Sequence, residues 1–254
     1  MSLKAVIVLS AGKGTRLNNG EPSTKPKVMY EIADRPMISY TRDLIKNLDI
    51  PEVVFVVGYQ HQIVEKFLGP DFLYALQEPQ LGTGQALKIG LEKITSESGY
   101  LLVLQGDDSA FYSQETINNF VQQVKDDSAV LGLITCDLED PGSFGRVIRD
   151  DSGYVSSIVE KDELKNDQRD IREINCGTYC FDIEWLKKNI NNLKKHEPKG
   201  EYFLPDLIYL AIEQKAKVVA YKLSDHSEWV GVNTPEQLEF ADSKMRSRIK
   251  DLNN

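Results

Sequence analysis

Four stretches of the chain combine residue types that could do chemistry. The first is Leu9-Ser10-Ala11-Gly12-Lys13-Gly14-Thr15-Arg16-Leu17, which sets two glycines among two cations directly after an apolar run. Glycines let backbone N–H groups close on an anion, and Lys13 and Arg16 add positive charge, so this loop has the chemistry of a phosphate site. It is neither of two familiar phosphate loops. A Walker A sequence needs G-x-x-x-x-G-K-[ST], and a dinucleotide fingerprint needs a third glycine where Leu17 stands. A plain tight turn between strand and helix is the alternative. The second stretch, Ser23-Thr24-Lys25-Pro26-Lys27-Val28, adds two cations around a proline. Residues 1–27 carry five cations against Glu21 alone, a net +4 in a chain whose total is −9. That asymmetry would focus a polyanion on one spot.

The third stretch is Gln77-Glu78-Pro79-Gln80-Leu81-Gly82-Thr83-Gly84. Its amide side chains can both donate and accept, which suits reading a nucleobase edge, and Gly82 permits close backbone approach. A glycine-rich helix entry with Thr83 near the cap explains it equally well. The fourth is Leu104-Gln105-Gly106-Asp107-Asp108, an apolar run ending in carboxylates. Asp107 there could hold Mg²⁺, which takes one or two protein oxygens and completes its shell with phosphate and water. Asp108 is the weaker candidate if the backbone turns it away, and both could simply form a turn.

Elements that could position these groups are legible in the apolar pattern. Lys4 to Leu9, Glu52 to Val57, Phe72 to Leu76, Tyr100 to Gln105 and Ala129 to Thr135 are strand-sized runs of the kind buried on both faces. Amphipathic stretches at Pro36 to Leu48, His61 to Leu68, Thr83 to Ile94 and Ser113 to Lys125 alternate with them. This predicts an α/β fold, a mostly parallel sheet covered by helices, with the ligand crevice at the carboxyl ends of the strands. Beyond residue 140, strand-like pieces at 145–150, 154–160 and 172–181 predict a mixed or antiparallel extension. Helices are expected at 182–191, 202–214 and 235–250, and a late strand at 217–222. With no repeat and no linker, the expectation is one domain over residues 1–254.

Composition narrows the class. The chain has 254 residues, 41% of them apolar, with 30 basic and 39 acidic side chains, which argues against general nucleic-acid or anionic-membrane binding. No apolar run reaches the roughly 18 residues of a membrane span, and Met1 to Lys4 lacks a signal-peptide pattern. Three cysteines and three scattered histidines, His61, His196 and His226, give neither a disulfide framework nor a structural zinc site. A reduced, cytoplasmic protein is expected.

In order along the chain, LSAGKGTRL, PKVMYEI, QEPQLGTGQA, LQGD, GSFGRVI, IVEKDE, EINCGTY, GEYFLPDLI and WVGVNTPEQL resemble the motifs of the sugar-1-phosphate nucleotidyltransferases. They are most similar to the N-terminal uridylyltransferase domain of the GlmU type, which handles N-acetylglucosamine-1-phosphate. The resemblance implies a Rossmann-like nucleotidyltransferase fold with a mixed sheet, a nucleotide half over about residues 1–135 and a sugar half over about 136–254. It implies that Ala11, Gly12, Gln77, Gln80, Gly82 and Thr83 hold the uracil end of UTP, within a nucleotide loop that includes Gly14 and Thr15. Lys13 and Arg16 then fall on the triphosphate and Lys27 on the phosphates at the reacting centre, making Arg16, Lys27 and Asp107 the catalytic set. Mg²⁺ is implied on Asp107 and Asn233, and the sugar phosphate near Gly145, Glu160, Asn175 and Glu201.

The implied reaction joins UTP and a sugar-1-phosphate, releasing pyrophosphate. Departures from the family pattern lie on the sugar side. Phe203 and Pro205 stand where tyrosine and threonine are usual, Gln105 replaces an aromatic residue, and Asp108 an apolar one. Glucose-1-phosphate uridylyl or thymidylyl transfer is therefore the neighbouring expectation, and a non-catalytic sugar-nucleotide binder the expectation from another class. Relatives of this type continue into an acetyltransferase β-helix; that activity is expected to be missing here, leaving a monomer or homodimer.

Overall fold

The structure, a computed structural model, describes residues 1–18, 21, 23–142, 144–159, 163–198 and 200–252. In chain order the elements are β1 (Leu3–Leu9), β2 (Glu31–Ile32), β3 (Arg35–Pro36), α1 (Met37–Lys46), β4 (Glu52–Val57), α2 (His61–Leu68), β5 (Leu73–Leu76) and α3 (Thr83–Leu91). They continue as β6 (Tyr100–Gln105), α4 (Gln114–Asp126), β7 (Leu131–Asp137), β8 (Arg146–Arg149), β9 (Val155–Val159) and β10 (Glu173–Asp182). Last come α5 (Ile183–Asn189), β11 (Lys195–His196), β12 (Glu201–Tyr202), α6 (Asp206–Glu213), β13 (Val218–Lys222) and α7 (Pro235–Leu252).

Among the described residues the main sheet runs β13-β7-β10-β6-β1-β4-β5, with β8 and β9 joined through β10. The pairs β6–β1, β1–β4, β4–β5 and β7–β13 are parallel, whereas β10 is antiparallel to β6, β7 and β8. The expected mostly parallel, mixed sheet is thus the one found, with the antiparallel strand inserted in its middle.

Continuous apolar runs arise because alternate residues serve opposite faces. In β1, Ala5, Ile7 and Leu9 pack into the layer completed by Leu87, Leu186 and Leu207 of α3, α5 and α6. Val6 and Val8 pack into the layer of Ile45, Val64 and Phe120 from α1, α2 and α4. A third cluster joins Leu17, Ile32, Met37 and Phe111 to Val230, Val232, Ala241 and Met245, so α7 folds back over the first loop. Burying each of the valine, leucine, isoleucine, methionine and phenylalanine side chains among them contributes roughly 1.5–3 kcal/mol. This third cluster brings the tail of the chain to the phosphate loop.

Two expectations need correction. The helix expected over 202–214 begins only at Asp206, because Tyr202 belongs to β12 and its N–H donates to the Leu81 carbonyl at 2.8 Å. The strand expected at Phe72 to Leu76 is not buried on both faces: β5 is an edge strand with Leu73 and Leu76 exposed. Thr83 lies next to the N-cap Gly82 as expected, and its Oγ1 accepts from the Leu204 N–H at 3.1 Å, tying the β12 segment to the helix entry. Cys136, Cys176 and Cys180 are buried and free. Among the described residues no helix is long and apolar enough to cross a membrane.

Candidate active site

The loops leaving β1, β4, β5 and β6 open into one cleft of about 1100 Å³. Its first wall is the 9–17 loop, whose start is pinned when Ser10 Oγ donates to the Val56 carbonyl at 2.8 Å. Gly14 takes φ +70°, and a Cβ there would stand 3.2 Å from Lys27 Cα. Glycine is therefore required for the second cationic segment to lie against the first. The Lys27 N–H donates to the Gly12 carbonyl at 3.2 Å, completing that contact. Leu17, where a dinucleotide fold would carry glycine, is buried in the third cluster at the end of a single 3₁₀ turn. The loop ends in packing against α7, not in a long helix.

Ala11, Gly12, Lys13, Gly14, Thr15, Arg16, Lys27, Gln77, Gln80, Gly82, Thr83, Gln105, Asp107, Glu201 and Asn233 all line the cleft. Glu201 reaches it because β11 and β12 form a hairpin resting on the entry of α3. Gly82, at φ +91°, allows this: a Cβ there would stand 2.4 Å from the Tyr202 carbonyl oxygen. The two glutamines have fixed amide orientations. Gln77 Nε2 donates to the Gly82 carbonyl and to Gln85 Oε1, both at 2.9 Å, and Gln80 Nε2 donates to the Ala11 carbonyl. Gln77 thus spends both amide N–H groups on the protein and keeps its carbonyl as an acceptor, whereas Gln80 spends one of its two.

At the floor of the cleft, 206 residues of sequence separation close to hydrogen-bond distance. Lys27 Nζ donates to the Asp107 carboxylate and, at 2.9 Å, to Asn233 Oδ1, while Arg16 Nη2 donates to the same Asn233 oxygen at 3.0 Å. The Asn233 backbone is held by Gln237, whose Oε1 accepts from the N–H groups of Asn233 (2.7 Å) and Thr234 (3.2 Å). The Gln237 N–H returns a bond to Thr234 Oγ1 at 3.3 Å, a capping box at the start of α7. Asp107 and Asn233 thus aim two oxygens at one point, and a cation, the Lys27 ammonium, stands in for whatever ion the pair would take. Two oxygen ligands with room for phosphate fit the coordination habit of Mg²⁺.

Asp108 turns away from this point. It is half-buried, yet its Oδ1 is buried without a hydrogen-bond partner among the described residues. Burial, reinforced by the neighbouring Asp107 carboxylate, raises its carboxyl well above the usual range. The sequence-predicted sugar residues divide. Glu201 is in the cleft, whereas Gly145 and Asn175 do not line it. Asn175 Nδ2 donates to Tyr179 Oη at 2.7 Å and its Oδ1 accepts from the Gly177 N–H at 3.0 Å, so it braces the irregular stretch of β10. Glu160 lies outside the described residues. The Phe203 ring meets His196 edge-on at 4.8 Å, on the hairpin and off the cleft lining.

Sequence reasoning missed the loop after β4. Tyr59, Gln60, His61 and Gln62 line the cleft, and Gly58 lets that loop approach, since a Cβ there would stand 2.6 Å from Gln80 Nε2. The signal available was positional, a loop at the carboxyl end of a buried parallel strand. Gln237 was missed as well, although Thr234 followed by Gln237 has the capping-box spacing.

Comparison with known proteins gives a consistent picture. The family described as nucleotidyl transferase matches residues 5–248. The bifunctional protein GlmU of Acetivibrio thermocellus is 37% identical over 249 residues, covering 98% of this chain and 53% of that protein. The chain thus spans about half the length of the curated relatives it matches. Among solved structures, UDP-glucose pyrophosphorylase complexed with UDP-glucose superposes with a TM-score of 0.79 at 17% identity, covering 97% of this chain and 99% of that one. A Bacillus anthracis protein assigned as a glucose-1-phosphate thymidylyltransferase gives 0.78 at 22% identity, with 95% and 94% coverage. These structures share the fold.

Proposed function

The chain belongs to the nucleotidyl transferase family, and from that membership we propose that it joins UTP to N-acetylglucosamine-1-phosphate, giving the UDP-sugar and pyrophosphate. The observation that carries this reading is the meeting of Arg16, Lys27, Asp107 and Asn233 beside the glycine loop, in a cleft large enough for a nucleotide and a second ligand. A sugar-phosphate oxygen attacks the α-phosphorus of UTP; the bond from that phosphorus to the oxygen bridging it to the β-phosphorus breaks, and pyrophosphate leaves with the electron pair. The attacking oxygen is anionic at neutral pH, so no side chain has to remove a proton. The main obstacle is bringing two anions together.

Within this scheme residues 1–135 form the nucleotide half and 136–254 the sugar half of one domain. Lys13 and Arg16 neutralise the departing pyrophosphate, and Lys27 the phosphates at the centre. Asp107 and Asn233 would hold Mg²⁺, which when bound supplies Lewis-acid stabilisation of phosphate charge. Gln77, with both amide N–H groups engaged, offers an acceptor, which suits the N3–H of uracil or thymine; cytosine has an acceptor at N3. Identity to GlmU proteins favours uracil and N-acetylglucosamine. Glu160 and Glu201 are proposed for the sugar side; Gly145 and Asn175, which stand off the cleft lining, are not.

A panel of UTP, TTP and CTP crossed with N-acetylglucosamine-1-phosphate and glucose-1-phosphate, scored by pyrophosphate release, tests the reading. UTP with N-acetylglucosamine-1-phosphate is expected to give the highest kcat/KM, and CTP the lowest with either sugar. Preference for another pair would replace the substrate assignment, and no release with any pair would favour a sugar-nucleotide binder. Gln237→Ala should raise the Mg²⁺ concentration for half-maximal rate about tenfold, the usual scale for a residue that orients a metal ligand, with Gln237→Glu recovering most of the loss. A rate curve unchanged in Mg²⁺ would remove Gln237 from that role.

A further inference from the structure

The lysine assigned to the phosphates sits on the two groups assigned to the divalent cation. Its ammonium bridges the Asp107 carboxylate and Asn233 Oδ1, and the pair is sheltered, with Lys27 and Asp107 side chains 13% and 20% exposed. Mg²⁺ bound directly to the same two oxygens would lie about 2.1 Å from each. An ammonium hydrogen-bonded to the same oxygens sets a second positive charge beside that position and occupies their lone pairs, so each cation disfavours the other.

The alternative resting place for the ammonium is built alongside. The Lys27 stem already runs along the glycines of the phosphate loop: its Cβ and Cγ come within 3.1–3.2 Å of the position a Gly14 Cβ would take, and its Cβ and Cδ within 4.0 Å of that at Gly12. The backbone is fixed by the bond from the Lys27 N–H to the Gly12 carbonyl. Rotation of the terminal side-chain torsions is then sufficient to move the charge from Asp107 toward an anion lying on the loop.

We propose that the Lys27 ammonium competes with the divalent metal for Asp107 and Asn233 and is released when nucleotide phosphates offer it another anion. The proposal rests on the reading of Asp107 and Asn233 as the cation ligands. It makes free metal a weak ligand and couples metal to nucleotide; by linkage, each tightens the other by the same factor.

Mn²⁺ binding measured by electron paramagnetic resonance, on the full chain without nucleotide, tests this. Lys27→Met, which keeps the stem and removes the charge, should bind Mn²⁺ about tenfold more tightly than wild type, within the usual span of coupling factors. Lys13→Met removes the same charge from the neighbouring loop without vacating the ligands, and should stay within about twofold of wild type. If Lys27→Met is poorly folded by thermal melting, Lys27→Gln carries the same comparison. Asp107→Asn in the Lys27→Met background should abolish the gain. Equal Mn²⁺ affinity in wild type and Lys27→Met, with binding still lost in Asp107→Asn, would overturn the exchange and leave the cation site standing. An equal gain in Lys13→Met would reduce the effect to field strength and also overturn it. Binding indifferent to Asp107 would overturn the cation reading, and the exchange with it.

Discussion

Replacing Asp107 with alanine is expected to lower turnover on the order of 10³-fold, because a cation that loses its charged ligand no longer offsets the repulsion between the two phosphate substrates. The fold should survive. Asp107 lies at the carboxyl end of β6, beyond the buried residues Leu101 to Leu104, and its ion pair with Lys27 keeps a fifth of the carboxylate side chain exposed. Lys27 keeps Asn233 Oδ1 as a partner at 2.9 Å when the carboxylate is removed, so its ammonium is not left without one. Pyrophosphate release and thermal melting measured on the same preparation separate the outcomes. Loss of rate with an unchanged melting temperature supports the assignment, and rate retained within about tenfold would remove Asp107 from the reacting centre.

Lys27→Met is expected to reduce kcat about 10²- to 10³-fold, the usual scale for a fixed donor that stabilises charge developing in a transition state. The effect should fall mainly on kcat, since Lys13 and Arg16 remain in the cleft to hold the triphosphate. Combined with the tighter binding of free Mn²⁺ expected for the same variant, this gives an unusual signature: better metal affinity and poorer catalysis. A variant that lost rate only because its fold was damaged would not gain affinity for a cation. Steady-state rates at saturating UTP and Mg²⁺ provide the check, and a change confined to KM would assign Lys27 to uniform substrate binding.

Which parts of this arrangement were legible in the sequence follows from how local their causes are. Strand β1 and helix α2 lie where expected because both faces of one and one face of the other are buried, and burial writes itself into residue pattern. The two-residue strands β2, β3, β11 and β12 are too short to carry a period, and β12 is fixed by partners more than 100 residues away, through Leu81 and Thr83. The expected extension after residue 140 includes β10, but its insertion between β6 and β7 depends on nonlocal pairing. At the site, the glycine loop and Asp107 announced themselves through residue type and position. Asn233 did not: an asparagine before a threonine and a proline reads as a turn, and only family resemblance singled it out. Its approach to Lys27 comes from the packing of Leu17, Val232 and Met245. The orientations of the Gln77 and Gln80 amides likewise depend on the Gly82 and Ala11 carbonyls they meet in the folded chain.

The most direct measurement is anomalous diffraction from crystals grown with Mn²⁺, a nonhydrolysable UTP analogue and the sugar phosphate. The account predicts one strong anomalous peak bonded to the Asp107 carboxylate and Asn233 Oδ1 and touching phosphate oxygen, with the Lys27 ammonium moved onto phosphate. A peak remote from both side chains, with Lys27 still bridging them, would contradict it.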